Sequence, residues 1–223
     1  MKINTYIDHT QLKATATPKD IVTLCEEAKK YDFFAVCVNS CHVALVAEEL
    51  KDSKVKIAAV VGFPLGASSS EAKIYESENC IINGAHEIDM VLNIGWLKAN
   101  MHSSVEEEIA AIKKAIGEKT LKVILEICYL SDEEIRIACQ IAQRAGADFV
   151  KTSTGFGTGG ATEHHVRIMH EEVGDTMKIK ASGGIKDTQT AIKYINMGVS
   201  RIGTSSGIEI VTSTNKDTYE YTY

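Results

Sequence analysis

The feature that most limits what this chain can fold into is a regular alternation of short β-rich runs with helical stretches. Eight such runs cover residues 6–10, 34–39, 56–62, 87–92, 122–127, 148–151, 177–180 and 200–203. They recur at intervals of about 28 residues, a length that suits compact strand and helix units. The stretches between them carry helix start and stop signals. Thr17 offers a capping hydroxyl ahead of Pro18, and Ile21, Leu24, Cys25 and Ala28 follow at helical spacing. Ser131 and Glu134 form a capping-box pair before Ile135, Ala138, Cys139 and Ala142. Gly84, Gly146 and Gly198 each stand between a helical run and the next strand, where helices end. Eight near-equal units close most economically into an α/β fold, a single-domain (β/α)8 TIM barrel over residues 1–211. A polar tail, expected to be mobile, follows over 212–223. An open doubly wound sheet is the structural alternative.

Composition enters as a set of exclusions. Of the 223 residues 44% are hydrophobic and 24% charged, which suits a globular protein, and no linker-like stretch divides the chain. Apolar runs such as 57–61 are strand-sized, far short of the roughly 20 residues that span a bilayer, so no membrane segment is expected. The N-terminus meets Asp8 before a secretory apolar region develops, which points to the cytoplasm. Six cysteines at irregular spacing, without a Cys-x-x-Cys pair, read as buried thiols rather than zinc or redox ligands. A net charge of -6 without a Lys/Arg block argues against nucleic acid as a partner, though local positive charge suffices for a small phosphate.

Barrel enzymes place their chemistry at the carboxyl ends of the strands, which singles out Asp89, Lys151 and Lys180. Strand alternation turns Ile88, Met90 and Leu92 toward the helices and sends Asp89 and Asn93 toward the barrel axis. Lys151 and Lys180 alternate in the same way with Val150 and Ile179. Two lysines on adjacent strands repel, and a like charge lowers the pKa of its neighbour, giving a free amine near neutral pH. Such an amine attacks a carbonyl, and the iminium ion that results lets the adjacent carbon-carbon bond break or form, with Asp89 placed to move protons. Ion pairing for structure alone is the competing account of each residue. Cys37 also points inward near the top of its strand, where packing is the simpler role. His164, His165 and His170 lie on one predicted helix and read as surface residues rather than metal ligands.

Glycine-rich segments follow the last three strands. Gly155 to Gly160, Ser182 to Ile185 and Gly203 to Gly207 expose backbone N–H groups, the last two just ahead of helices, and phosphate is the natural guest. Tight turns alone would also use these glycines.

Taken together, the segments Tyr6-Ile7-Asp8-His9-Thr10, Val61-Gly62-Phe63-Pro64-Leu65-Gly66, Glu87-Ile88-Asp89-Met90-Val91, Phe149-Val150-Lys151-Thr152-Ser153-Thr154-Gly155, Lys180-Ala181-Ser182-Gly183-Gly184-Ile185 and Arg201-Ile202-Gly203-Thr204-Ser205-Ser206-Gly207 resemble the deoxyribose-phosphate aldolases. The resemblance runs from Tyr6 to about Val211. It implies reversible cleavage of 2-deoxy-D-ribose 5-phosphate into acetaldehyde and D-glyceraldehyde 3-phosphate, without metal or organic cofactor. Lys151 then falls on the Schiff-base lysine, Lys180 on the second lysine that perturbs it, and Asp89 on the acid that moves protons with Lys180. Gly155, Gly183, Gly184, Ser205 and Ser206 fall in the segments assigned to the substrate phosphate, and Asp8 belongs to the same polar network. A C-terminal tyrosine that reaches the site in such enzymes matches Tyr223. Three positions depart from the pattern: Lys186 for an arginine, Lys178 for a small or apolar residue, and Ile127 for a threonine. Another sugar-phosphate barrel enzyme, aldolase or isomerase, and a catalytically silent phosphometabolite-binding barrel stay open as alternatives. The assembly expected by default is a homodimer.

Overall fold

The computed structural model describes residues 2–213. Eight parallel strands close into a cylinder in sequence order, with β1 pairing both β2 and β8. In chain order the elements are β1 (Ile7–Gln11), α1 (Pro18–Tyr31), β2 (Ala35–Asn39), α2 (Val43–Glu49), β3 (Lys56–Val61), α3 (Ser70–Ile82), β4 (Glu87–Val91), α4 (Ile94–Lys98), α5 (His102–Ile116), β5 (Thr120–Ile124), α6 (Asp132–Arg144), β6 (Phe149–Lys151), α7 (Glu163–Val173), β7 (Lys178–Ser182), α8 (Thr188–Asn196), β8 (Arg201–Thr204) and α9 (Gly207–Thr212). The closed barrel excludes the open sheet. No helix among the described residues is long and apolar enough to cross a membrane.

Local signals account for the helices. Thr17 caps α1 and exchanges hydrogen bonds with Asp20, and Ser131 does the same with Glu134 at the start of α6. Ile135, Ala138, Cys139 and Ala142 on α6 are buried, one apolar stripe at helical spacing against the barrel. Gly84, Gly146 and Gly198 adopt left-handed φ values of 109°, 79° and 91° and release the chain from its helices.

Strand alternation divides the interior from the shell. Val36, Val38, Ile57, Ala59, Ile88, Met90, Val123, Val150 and Ile179 face outward and merge with the helices in one apolar core. Fully burying each large apolar side chain contributes about 1.5–3 kcal/mol, so this shell supplies most of the driving force. Inside the cylinder Leu12, Cys37, Ala58 and Val60 form a separate small apolar cluster with Phe63 against it. Cys37 is therefore a packed thiol, and burial pushes its pKa up.

Most strand ends lie within one or two residues of the sequence expectation, and two further boundaries differ for a local reason. The last helix includes Thr212, whose hydroxyl donates to the Ile208 carbonyl one turn back, so the folded unit runs past 211. The fifth strand ends at Ile124 rather than Ile127, because Glu126 takes a left-handed conformation with φ 56°. On either side of that kink the Leu125 and Ile127 N–H groups still bond to the Lys151 and Thr152 carbonyls. The rest of the polar tail, residues 214–223 with Tyr223, lies outside the described residues.

Candidate active site

Register and parity bring charged residues from six strands into the barrel axis. Asp89 on β4 lies opposite Lys122 on β5, Lys151 on β6 opposite Lys180 on β7, and Lys180 opposite Arg201 on β8. All are almost wholly buried, as are Asp8 on β1 and Glu87 on β4. Gly203 faces the same space. A Cβ there would meet Lys180 Cε at 3.0 Å, so the missing side chain leaves the lysine its path.

Asp89 is the hub. Its Oδ2 accepts from Lys151 Nζ at 2.9 Å and Lys180 Nζ at 2.8 Å, while Oδ1 accepts from Lys122 Nζ at 2.7 Å. Lys180 also donates to Asp8, and Lys122 donates to Glu87 at 2.6 Å. Arg201 closes the floor: it bonds Asp8 at 2.6 Å and Glu87 at 2.8 Å, with its guanidinium 3.4 Å from the centre of the Phe34 ring.

Burial alone would raise the carboxyl pKa values, but the surrounding cations reverse that. Lys180, Arg201 and Lys122 hold Asp8 well below the usual carboxylate range, and Lys122, Lys151 and Lys180 do the same for Asp89. Burial would likewise lower Lys180, yet the charges of Asp8 and Asp89 push it above the usual lysine range. Repulsion between the paired lysines does not prevail at Lys180, because two carboxylates lie within hydrogen-bond distance of its ammonium.

Of this cluster only Lys151 reaches the cavity above it, a space of about 270 Å³ at the carboxyl end of the barrel. Gly155 and Phe156 after β6, Gly183, Gly184 and Lys186 after β7, and Ser205 after β8 form its far wall; Thr10 and Gln11 at the end of β1 and Lys13 beyond it form a side. The two glycine loops interlock, since a Cβ on Gly160 would lie 2.2 Å from the Gly183 carbonyl oxygen. Phe63 and Phe156 meet edge to face at 5.2 Å.

Ser206 differs from the other phosphate candidates. It does not line the cavity, and its N–H is used by Thr204 Oγ1 at 2.9 Å. Asn93 also departs from expectation: it lies beyond β4, and its side chain caps α4 by accepting from the Trp96 N–H. Lys178 sits exposed at the outer start of β7, 5.7 Å from the Phe149 ring, and Ile127 is buried in the outer core. His164 and His170 are exposed and His165 half-buried. His164 and His165 approach Asp132, all at the first turns of α6 and α7 on the outside of the barrel. Sequence reasoning missed Lys122, Glu87, Arg201, Glu126 and Lys13. Parity alone marks the first three, since Glu87 and Asp89 stand two apart on β4 and Lys122 lies opposite Asp89.

Comparison with known proteins gives a consistent picture. Residues 2–212 match the model of the DeoC/LacD family aldolases. The chain is 54% identical over 211 residues to a deoxyribose-phosphate aldolase of Streptococcus gordonii, covering 95% of this chain and 96% of that protein. A deoxyribose-phosphate aldolase of Lactococcus lactis is 51% identical over 220 residues, or 98% of this chain and 100% of that one. Among solved structures, an aldolase designated QR15 superimposes with a TM-score of 0.93 at 39% identity, covering 99% of each chain. A tetrameric deoxyribose phosphate aldolase of Aeropyrum pernix does so with a TM-score of 0.88 at 30% identity, over 96% of this chain and 91% of that one.

Proposed function

The chain belongs to the DeoC/LacD aldolase family, and from that premise we propose that it cleaves 2-deoxy-D-ribose 5-phosphate reversibly into acetaldehyde and D-glyceraldehyde 3-phosphate through a Schiff base on Lys151. The observation that carries the reading is the position of Lys151, at once a member of the buried ionic cluster and part of the cavity wall. Charge balance explains why this amine is available. Asp8, Glu87 and Asp89 face Lys122, Lys151, Lys180 and Arg201, three carboxylates against four cations. With all seven ionised, the site holds one excess positive charge, which burial penalises. Release of one proton neutralises it. Lys122 and Lys180 each bond two carboxylates, and a guanidinium does not deprotonate. Lys151 bonds one and faces the cavity, so it is the amine of the cluster that a substrate carbonyl can reach.

The neutral amine attacks the aldehyde carbon of the open-chain sugar, and loss of water leaves an iminium cation. That cation replaces the ammonium beside Asp89 and keeps the same counter-charge. As the C3 hydroxyl loses its proton, the electrons of the C2–C3 bond flow to the iminium. Glyceraldehyde 3-phosphate departs and an enamine remains. Protonation at C2 gives the iminium of acetaldehyde, which water hydrolyses to free Lys151. Asp89 and Lys180, joined through Oδ2, handle these protons through an intervening water, and Asp8 holds Lys180 in place. Tyr223 is assigned an assisting role on resemblance alone; a slower exchange of the C2 proton in Tyr223→Phe supports it, and an unchanged rate removes it.

The phosphate is assigned to Gly155, Gly183, Gly184 and Ser205, with Ser206 behind them. Lys186 supplies charge there without the two-pronged geometry of an arginine. A homo-oligomer belongs to the same reading, and light scattering on the purified chain distinguishes a dimer from the tetramer described for the Aeropyrum pernix protein. The central test is borohydride reduction with acetaldehyde, followed by peptide mass analysis. A stable adduct on Lys151, absent in Lys151→Arg, is expected. Folded protein that gives no adduct refutes the mechanism.

A further inference from the structure

Glu126 is buried and takes part in none of the steps above. It sits just past the end of β5 in a left-handed conformation, φ 56° and ψ 60°, which costs a residue with a side chain free energy that glycine would avoid. The N–H groups on either side of it, from Leu125 and Ile127, bond the Lys151 and Thr152 carbonyls at 2.9 and 3.0 Å. The kink between those two bonds lets both carboxyl oxygens accept from Thr154. Oε1 accepts the Thr154 N–H at 3.1 Å, and Oε2 accepts its hydroxyl. The Thr154 hydroxyl oxygen in turn accepts the Phe156 N–H at 2.9 Å.

One side chain thus fixes the start of the loop that carries Thr154, Gly155 and Phe156 into the cavity wall. The loop also packs down on it: a Cβ on Gly157 would stand 3.2 Å from the Glu126 carboxyl carbon. Glu126 does not line the cavity, and its bonds reach the loop rather than the reacting amine.

We infer that Glu126 is a positioning residue that sets the β6–α7 loop for the phosphate end of the substrate. The inference rests on the assignment of Gly155 to the phosphate, and it separates binding of that end from the chemistry at Lys151. An alanine at 126 frees Thr154 and Phe156, so the loop must be ordered anew each time a phosphate binds. A substrate without the phosphate does not call on that end of the cavity.

The experiment compares wild type and Glu126→Ala on 2-deoxy-D-ribose 5-phosphate and on unphosphorylated 2-deoxy-D-ribose, with borohydride trapping of acetaldehyde run alongside. The expected result is a fall of about tenfold or more in kcat/KM for the phosphorylated sugar, carried mainly by KM, against less than about twofold for the unphosphorylated one. Equal losses on both sugars, or none, overturn the inference, since a merely structural residue would not discriminate between them. Where Glu126→Ala fails to fold, Glu126→Gln, which keeps the shape and leaves only one oxygen to accept from Thr154, must show the same selective loss, and its absence is equally fatal. A wild type without a Lys151 adduct would instead overturn the aldolase reading itself.

Discussion

Replacing Lys180 by methionine keeps most of the side-chain volume and removes one positive charge beside the reacting amine. Asp89 Oδ2 accepts from both ammonium groups, at 2.9 Å from Lys151 and 2.8 Å from Lys180. Their nitrogens therefore stand at most about 5.7 Å apart, where two unit charges repel by about 3 kcal/mol at an effective dielectric of about 20. Removing one of the two charges relieves that repulsion, and with it a reason for the amine to be uncharged when it attacks. In Lys180→Met the cluster has as many carboxylates as cations, and no excess charge drives a proton off. The assay is the initial rate of borohydride-trapped acetaldehyde on Lys151, followed from about pH 6 to about pH 10. The rate at neutral pH should fall relative to its alkaline plateau, with circular dichroism confirming the fold, while Lys180→Arg keeps the wild-type profile. A folded Lys180→Met protein with an unmoved profile would refute the charge-balance argument, because the lost charge would then have had no hold on the amine.

Acid should unfold the barrel through its axis. Asp8 and Asp89 are more acidic folded than unfolded, so their stabilisation is complete above the unfolded value of about 3.9 and is lost as pH falls toward the folded value. Scanning calorimetry should show Tm dropping below about pH 4, with a shallower acid limb in Asp89→Asn; a Tm that holds steady there contradicts the assignment. Outside the cylinder, the fully buried pair of Lys73 and Glu108, 2.8 Å apart, offers a separate check. Lys73→Met should cost about 3–5 kcal/mol in denaturant unfolding by leaving Glu108 without its cation, and the double variant Lys73→Met with Glu108→Leu should recover most of it. A single variant as stable as wild type rules out the pair as described.

The parts of this structure readable from sequence are those that local chemistry decides. The spacing of the strands, the capping pairs Thr17 with Asp20 and Ser131 with Glu134, and the glycines that end helices each lie within a few residues of one another. Asp89, Lys151 and Lys180 are legible because apolar neighbours on each strand mark the outward face. Lys122, Glu87 and Arg201 share that parity but stand at or near strand starts, where a charge reads as solvated. What internalises them is register, a relation between strands that no single run contains. The same holds for the charge on Lys180, since its deciding partner Asp8 lies 172 residues away. Glu126 is hidden for another reason: the run from Lys122 to Ile127 alternates as a strand should, and neither its left-handed backbone nor its bond to Thr154 leaves a mark in that pattern.

The bonds that join the first strand to the last two also impose an order on biosynthesis. Asp8 leaves the ribosome with β1, whereas Lys180 and Arg201 emerge 172 and 193 residues later. Until they do, this carboxylate has neither of its short-range counterions, and one edge of β1 waits for β8. A nascent chain, or one truncated before residue 201, leaves the cylinder unclosed and Asp8 without its arginine. Aldehyde chemistry is therefore expected to switch on only once translation has delivered the eighth strand, so release of active enzyme reports that the whole barrel has been made.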